Sequence, residues 1–209
     1  MVRNCTKTFG RSCILLALES SRMFLLRKPS DLQIRAFLTA QRQSNLSYGP
    51  VGITRDAAAA GYTVDHNRVL LGSGAQCFDA AVAAIREWKM FDLGWVNLVS
   101  NETPIETGET VAVVINHLGF WSMNACRIVY VIEEHGRYGF AYGTLAEHAE
   151  RGEERFTVEW KHEDDSVWYD ILALSQPGPM ARLGYPFTRR LQKRFARDSK
   201  EAMTKAVVK

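Results

Sequence analysis

The chain has 209 residues, 46% of them apolar, and 26 Lys and Arg against 23 Asp and Glu for a formal charge of +3. That length and apolar share suit one domain with one core. No apolar run approaches the roughly 20 residues of a membrane-spanning helix, which argues against an integral membrane protein.

In chain order, residues 1–22 carry Arg3, Lys7 and Arg11, then the apolar run Cys13-Ile14-Leu15-Leu16-Ala17-Leu18. A basic start before a short apolar run is the outline of a signal peptide, but the run is short and Ser20-Ser21-Arg22 is a poor cleavage site. Met23 opens a stretch that reads as an ordinary protein start. Residues 1–22 are therefore expected to be a disordered extension or a misassigned start, with a targeting segment as the alternative, and residues 23–209 to form the domain.

Ser30 or Asp31 caps a predicted helix that carries Leu32, Ile34, Phe37 and Leu38 and runs to about Gln43. Ser47-Tyr48-Gly49-Pro50 breaks it, and an Ala-rich connector follows at 54–60. A strand spans Tyr62 to Leu71 and closes at Gly72-Ser73-Gly74. From Ala75 to Lys89, Phe78, Val82, Ile85 and Trp88 make one apolar helical stripe. Strands are then predicted near 96–100, 110–116, 124–132, 138–146, 153–162 and 166–175. The breaks between them are Thr107-Gly108, Leu118-Gly119, His135-Gly136, Arg151-Gly152 and Asp164-Asp165. Connections this short favour antiparallel neighbours. The last element is a helix from about Pro179 to Val207, with Leu183, Phe187, Leu191 and Phe195 at steps of four and Pro186 marking a kink or a fresh start.

Strand, helix, six strands and a long helix describe an α+β fold. A seven-stranded antiparallel sheet twists and curls, and the C-terminal helix fills its concave side, with an added N-terminal helix. This arrangement resembles the helix grip of START and polyketide-cyclase-like proteins, a resemblance that implies space between sheet and helix.

From Arg182 onward the chain holds Arg182, Arg189, Arg190, Lys193, Arg194, Arg197, Lys200, Lys205 and Lys209 against Asp198 and Glu201. Such a stripe is either a surface for anionic lipid or nucleic acid or the solvated face of a helix; without interleaved aromatics, nucleic acid is disfavoured. Weak peripheral membrane contact stays open. Cys5, Cys13, Cys77 and Cys126 form no CxxC pair and no zinc spacing. They read as thiols of a reducing, cytoplasmic compartment, and no metal is expected. The glycine segments 72–74 and 139–143 match no phosphate-binding pattern, so no cofactor is expected.

Several segments together carry a family resemblance. They are Tyr48-Gly49-Pro50-Val51-Gly52, Asn124-Ala125-Cys126-Arg127-Ile128-Val129-Tyr130 and Gly139-Phe140-Ala141-Tyr142-Gly143-Thr144-Leu145. His148, Gly152-Glu153-Glu154-Arg155-Phe156, Val167-Trp168-Tyr169-Asp170-Ile171 and Arg189-Arg190-Leu191-Gln192-Lys193-Arg194-Phe195 continue it. From Leu46 to Ala206 the chain resembles the uncharacterised domain-of-unknown-function family nineteen-ninety, a resemblance that implies a family and no activity.

Strict alternation puts Ile128, Tyr130 and Ile132 on one face of their strand and Arg127, Val129 and Val131 on the other. On the inner face Arg127 would need a carboxylate or an anionic ligand; on the outer face it would be solvated. His148 lies close in sequence to Glu153 and Glu154, and a carboxylate neighbour can orient an imidazole for proton transfer. The candidate catalytic set is His148, Glu153 and Arg127. Tyr130, Phe140, Tyr142, Trp160, Trp168, Asp170, Phe187 and Leu191 are the candidate ligand-binding residues, aromatic walls with a few polar tips beneath the last helix. The leading expectation is a binding protein for a small apolar or amphipathic ligand. The alternatives are a cyclase- or hydrolase-type enzyme on the same scaffold and a surface-interaction protein using the basic helix. Ligand identity and oligomeric state are not legible in the sequence.

Overall fold

Residues 24–55, 60–99, 104–117, 119–177 and 185–208 are described by the structure, a computed structural model. The expected N-terminal extension, positions 56–59 of the connector, Leu118 at one predicted break and residues 178–184 lie outside the described residues.

A two-residue strand β1 (Phe24–Leu25) leads into α1 (Asp31–Gln41). Ser30 caps α1: its hydroxyl accepts from the Gln33 amide, and the Gln33 side chain accepts from the Ser30 amide at 2.9 Å. This reciprocal box satisfies two of the donors that a helix start leaves open. Then come β2 (Thr63–Ser73), α2 (Gly74–Arg86), β3 (Val96–Val99), β4 (Thr110–Asn116), β5 (Trp121–Glu134), β6 (Arg137–Thr144), β7 (Glu150–Lys161), β8 (Ser166–Pro177) and α3 (Tyr185–Val207). Helix α2 stops at Arg86 because Trp88 takes a left-handed conformation with φ 57° and a short 3-10 turn, Lys89–Phe91, follows. The turn carries the Trp88 ring onto Phe140, with ring centres 4.9 Å apart.

All strand pairs are antiparallel, in the order β2-β8-β7-β6-β5-β4-β3, with β1 beside β5. The first long strand therefore closes against the last, with Thr63 opposite Ser175 and Val69 opposite Tyr169. This is the predicted curved seven-stranded sheet around a C-terminal helix, with the small β1 added. Pro186 stands in the first described turn of α3, and the residues that would distinguish a kink from a fresh start, 178–184, lie outside the described ones.

From Phe195 onward α3 is firmly packed in the concave face. Phe195 meets Phe91 at 5.4 Å, Met203 is fully buried, and Ser199 shares a 2.9 Å hydrogen bond with the Tyr169 hydroxyl. Phe140, Phe156, Val158 and Ile171 complete this core. Each such large side chain contributes about 1.5–3 kcal/mol of burial.

The convex face is covered as well. Ile34, Phe37 and Leu38 of α1 pack on Ala112, Val114, Met123 and Ala125, and Ile53 packs on Leu172 and Leu174. With both faces buried, β4 and β8 read as nearly continuous apolar runs, without a polar face to betray the outside.

One expectation about faces fails. The register of β5 slips between Ile128 and Tyr130, so Val129 is an extra residue in the strand. Ile128 belongs to the concave core, whereas Tyr130 and Ile132 pack with Ala141 on the convex side. A bulge inverts the alternation that placed all three together.

Candidate functional site

Helix α3 does not sit evenly on the sheet. Between its half from Phe187 to Ala196 and the concave face lies a space of about 700 Å³. Phe91, Val113, Ile115, Ile171, Leu191 and Phe195 supply apolar walls. Polar groups enter at two places, one from β7 and the strands beside it, the other from the β4–β5 hairpin.

At the first place, even-numbered residues of β7 point inward, so Glu150 and Glu154 face the space with Phe156 and Val158 further along. The Tyr142 hydroxyl donates to Glu154 Oε2 at 2.8 Å. Burial pushes the Glu154 carboxyl up to about 7; the Tyr142 hydrogen bond opposes that, while the charges of Glu150 and Asp65 add to it. The Tyr142 phenol is itself raised, by burial first and by Glu154 second. Glu150 accepts from Gln192 Nε2 at 2.5 Å and is also raised by burial. Arg189 holds Asp65 with both guanidinium nitrogens, one bond at 2.8 Å, which ties the first turns of α3 to β2. His148, in the β6–β7 loop, accepts the Glu150 amide on Nδ1 at 3.0 Å, and burial lowers it to about 4.

At the second place, Ser122 and Asn124 project from β5 opposite Ile115 and Val113, and His117 follows β4. Asn124 Nδ2 donates to Ser122 Oγ at 3.0 Å, and Ser122 Oγ lies 2.7 Å from His117 Nε2. The His117 ring stacks on Phe120 at 4.9 Å and tilts against Phe187 at 6.1 Å.

The residues singled out from sequence scatter over both faces. Tyr142, Phe187, Leu191 and His148 line the space, and Glu153 borders it although its carboxylate turns away to the convex side. Phe140 is on the concave side but fully buried in the core, and Trp160 lies against Phe78 and His162, outside the lining. Tyr130, Trp168 and Asp170 are on the convex face. There Tyr130 shares a 2.6 Å hydrogen bond with Thr54, Arg68 lies 4.8 Å over the Trp168 ring, and Asp170 pairs with His66 at 2.5 Å and Arg155 at 3.6 Å.

The proposed trio of His148, Glu153 and Arg127 does not converge. The Glu153 side chain points to the convex side, where it accepts from the Tyr48 hydroxyl at 2.6 Å, the Gly52 amide at 2.8 Å and the Thr54 amide at 3.1 Å. The Thr54 hydroxyl bonds it too. Arg127 is neither solvated nor facing a ligand. Its guanidinium donates to the carbonyls of Gln41 at 3.2 Å and Arg42 at 2.9 Å and so caps the C-terminus of α1. Gly143 serves the same cover: a Cβ there would overlap the Tyr48 ring.

Glu150, His117, Ser122 and Asn124 escaped the sequence reading as site residues, and Glu154 entered it only as a carboxylate near His148, outside the candidate set. The usable signal was polar residues at positions in register with buried neighbours, Ser122 and Asn124 with Cys126, and Glu154 with Phe156. Among the described residues no three His, Cys, Asp or Glu side chains group so as to hold a metal ion, and no helix is long and apolar enough to cross a membrane. Of the basic residues on α3, Arg189 is held by Asp65, and Arg194 and Arg197 by Asp198.

A hypothetical protein of Helicobacter pylori superposes with a TM-score of 0.50 at 10% identity, covering 79% of this chain and 98% of its own. Human STARD10 superposes at 0.45 with 12% identity, over 87% of this chain and 81% of its own. A UPF0548 protein of Dictyostelium discoideum is 39% identical over 207 residues, 88% of this chain and 96% of the relative. Residues 47–202 match the model of the family described as Domain of unknown function (DUF1990), and the chain belongs to that family.

Proposed function

We propose that the protein binds a small apolar or amphipathic molecule between the concave face and the first half of α3. The observation that carries this reading is the space itself: about 700 Å³, with apolar walls and a few polar groups at its edges. Small-molecule sites are concave, mostly apolar and of this order of volume. A domain whose only task was to close its core would bring Leu191 and Phe187 down onto the sheet, as it does with Phe195 and Met203. Instead Phe187 stays 44% exposed.

Ala173 of β8 lines the space opposite Glu154. Ala173→Trp fills it from the sheet side. With the neutral fluorophore N-phenyl-1-naphthylamine as probe, the wild type is expected to bind and Ala173→Trp to lose at least about tenfold in affinity while its circular dichroism is kept. Probe binding of equal strength in both proteins overturns the reading.

A further inference from the structure

Among the described residues six buried side-chain polar atoms lack a hydrogen-bond partner, and one of them, His117 Nδ1, belongs to a residue lining the space. His117 is 8% exposed. Its hydrogen-bond chain fixes what that nitrogen carries. Asn124 Nδ2 lies 3.4 Å from the Val113 carbonyl, which only accepts, so this atom is the amide nitrogen and donates to Ser122 Oγ. Ser122 is 2% exposed, and among the described residues His117 Nε2 is the acceptor in reach of its hydroxyl proton. The reverse direction, Nε2–H donating to Ser122 Oγ, would leave that buried proton unmet, so the hydroxyl donates to Nε2. Burial lowers the His117 pKa, so the ring is neutral near pH 7. A neutral imidazole that accepts on Nε2 carries its proton on Nδ1.

The chain thus delivers a buried N–H donor, held in one tautomer, to a space with apolar walls, and among the described residues no acceptor meets it. Leaving such a donor unmet is costly, which makes an acceptor from a ligand the natural complement. The stack on Phe120 holds the ring in place. The first turn of α3 lies beside it through Phe187, and the positive end of a helix favours an acceptor that bears negative charge.

Building on the pocket reading above, we infer that His117 Nδ1–H is the docking point for the polar head of the ligand, and that this head presents an acceptor oxygen, a carbonyl or a carboxylate. The apolar body runs along Val113, Ile115 and Leu191. The pair Ser122–His117 is read as a binding device and not an acyl-transfer dyad, because among the described residues no acceptor meets Nδ1–H to support a charged imidazole.

The test displaces bound N-phenyl-1-naphthylamine with three ligands of one chain length: decanoate, methyl decanoate and decylammonium. On the wild type, decanoate is expected to compete at concentrations about tenfold to a hundredfold below decylammonium. Methyl decanoate equal to decanoate assigns the recognition to the carbonyl oxygen, and an intermediate value adds a contribution from charge; both support the inference. His117→Phe keeps the ring stack and removes the donor, so it is expected to retain the probe and lose the preference. Ser122→Ala, which releases the tautomer, is expected to shrink the preference severalfold and serves where the phenylalanine variant does not fold. The inference is overturned if the wild type binds the probe yet prefers decylammonium or shows no preference, or if both variants keep the wild-type order. A wild type that fails to bind the probe at all overturns the pocket reading and this inference with it.

Discussion

Glu153 and Glu154 are neighbours in the chain and sit in opposite worlds. On the convex face, Glu153 is 3% exposed and receives hydrogen bonds from Tyr48, Gly52 and both donors of Thr54. On the concave face, Glu154 has the single hydroxyl of Tyr142, and burial lifts its carboxyl to about 7. A second pair shows the same contrast, although Arg155 Nε and Asp170 Oδ1 on the convex face also lack a hydrogen-bond partner. Arg127 outside is matched by two helix carbonyls and Thr110, whereas His117 inside keeps a nitrogen with no partner. Buried charge fully met by its own chain is scaffold; buried polarity left short beside open space is where an outside molecule fits.

The comparison is broken most directly at Glu153. Two segments of the family resemblance, Tyr48 to Gly52 and Gly152 to Phe156, meet at this carboxylate. Glu153→Ala leaves two backbone N–H groups, that of Thr54 buried and that of Gly52 half-buried, and two hydroxyls without their acceptor. A loss of about 3–5 kcal/mol is expected, or a fall in Tm on the order of 10 °C, read by thermal unfolding. Probe binding to the protein that remains folded should be unaltered. A variant that keeps its Tm but loses the probe would make Glu153 a site residue after all.

Glu154 sharpens the other half through pH. Its folded pKa of about 7 stands above the ordinary carboxylate value of 4.5. The stability it contributes is complete below pH 4.5 and is lost as pH rises through about 7, because the unfolded chain gives up the proton first. Glu154→Gln removes that slope. Relative to the wild type, the variant should gain as much as about 3 kcal/mol between pH 4.5 and pH 8, measured by denaturant unfolding at both. His148, lowered to about 4, acts with the opposite sign between 6.5 and 4, and it cancels in the difference because both proteins carry it. A flat difference across this range would mean that Glu154 is solvated.

The element order was legible because hydrophobic period, glycine breaks and Pro186 are local signals, and together they fixed the curved sheet with the last helix inside. What was not legible was which way each strand faced. Alternation divides β7 into two sets and gives both Glu153 and Glu154 plausible roles, but it does not say which set is inside. The usual arbiter, a polar outer face, is missing because α1 and the loop 46–55 cover the outside. The slip at Val129 then reversed Tyr130, and an extra residue in an apolar run leaves no mark in composition. His117 was passed over because its significance lies in a partner it lacks, which only coordinates reveal.

Arg127 offers the smallest effect and the finest discrimination. A cation on a sheet strand inside a family-defining segment invites the role of ligand counter-ion. In the structure it closes the end of α1 from across the sheet, 85 and 86 positions away in sequence from the carbonyls it holds. Arg127→Met keeps the stem and removes the donors. The freed Arg42 carbonyl lies near solvent and is rehydrated, so the loss should be only about 1–2 kcal/mol, concentrated in faster hydrogen exchange of the last turn of α1. Decanoate and N-phenyl-1-naphthylamine should bind as to the wild type. If instead decanoate weakens while α1 exchanges as before, the guanidinium reaches the ligand, and Arg127 no longer belongs to the scaffold.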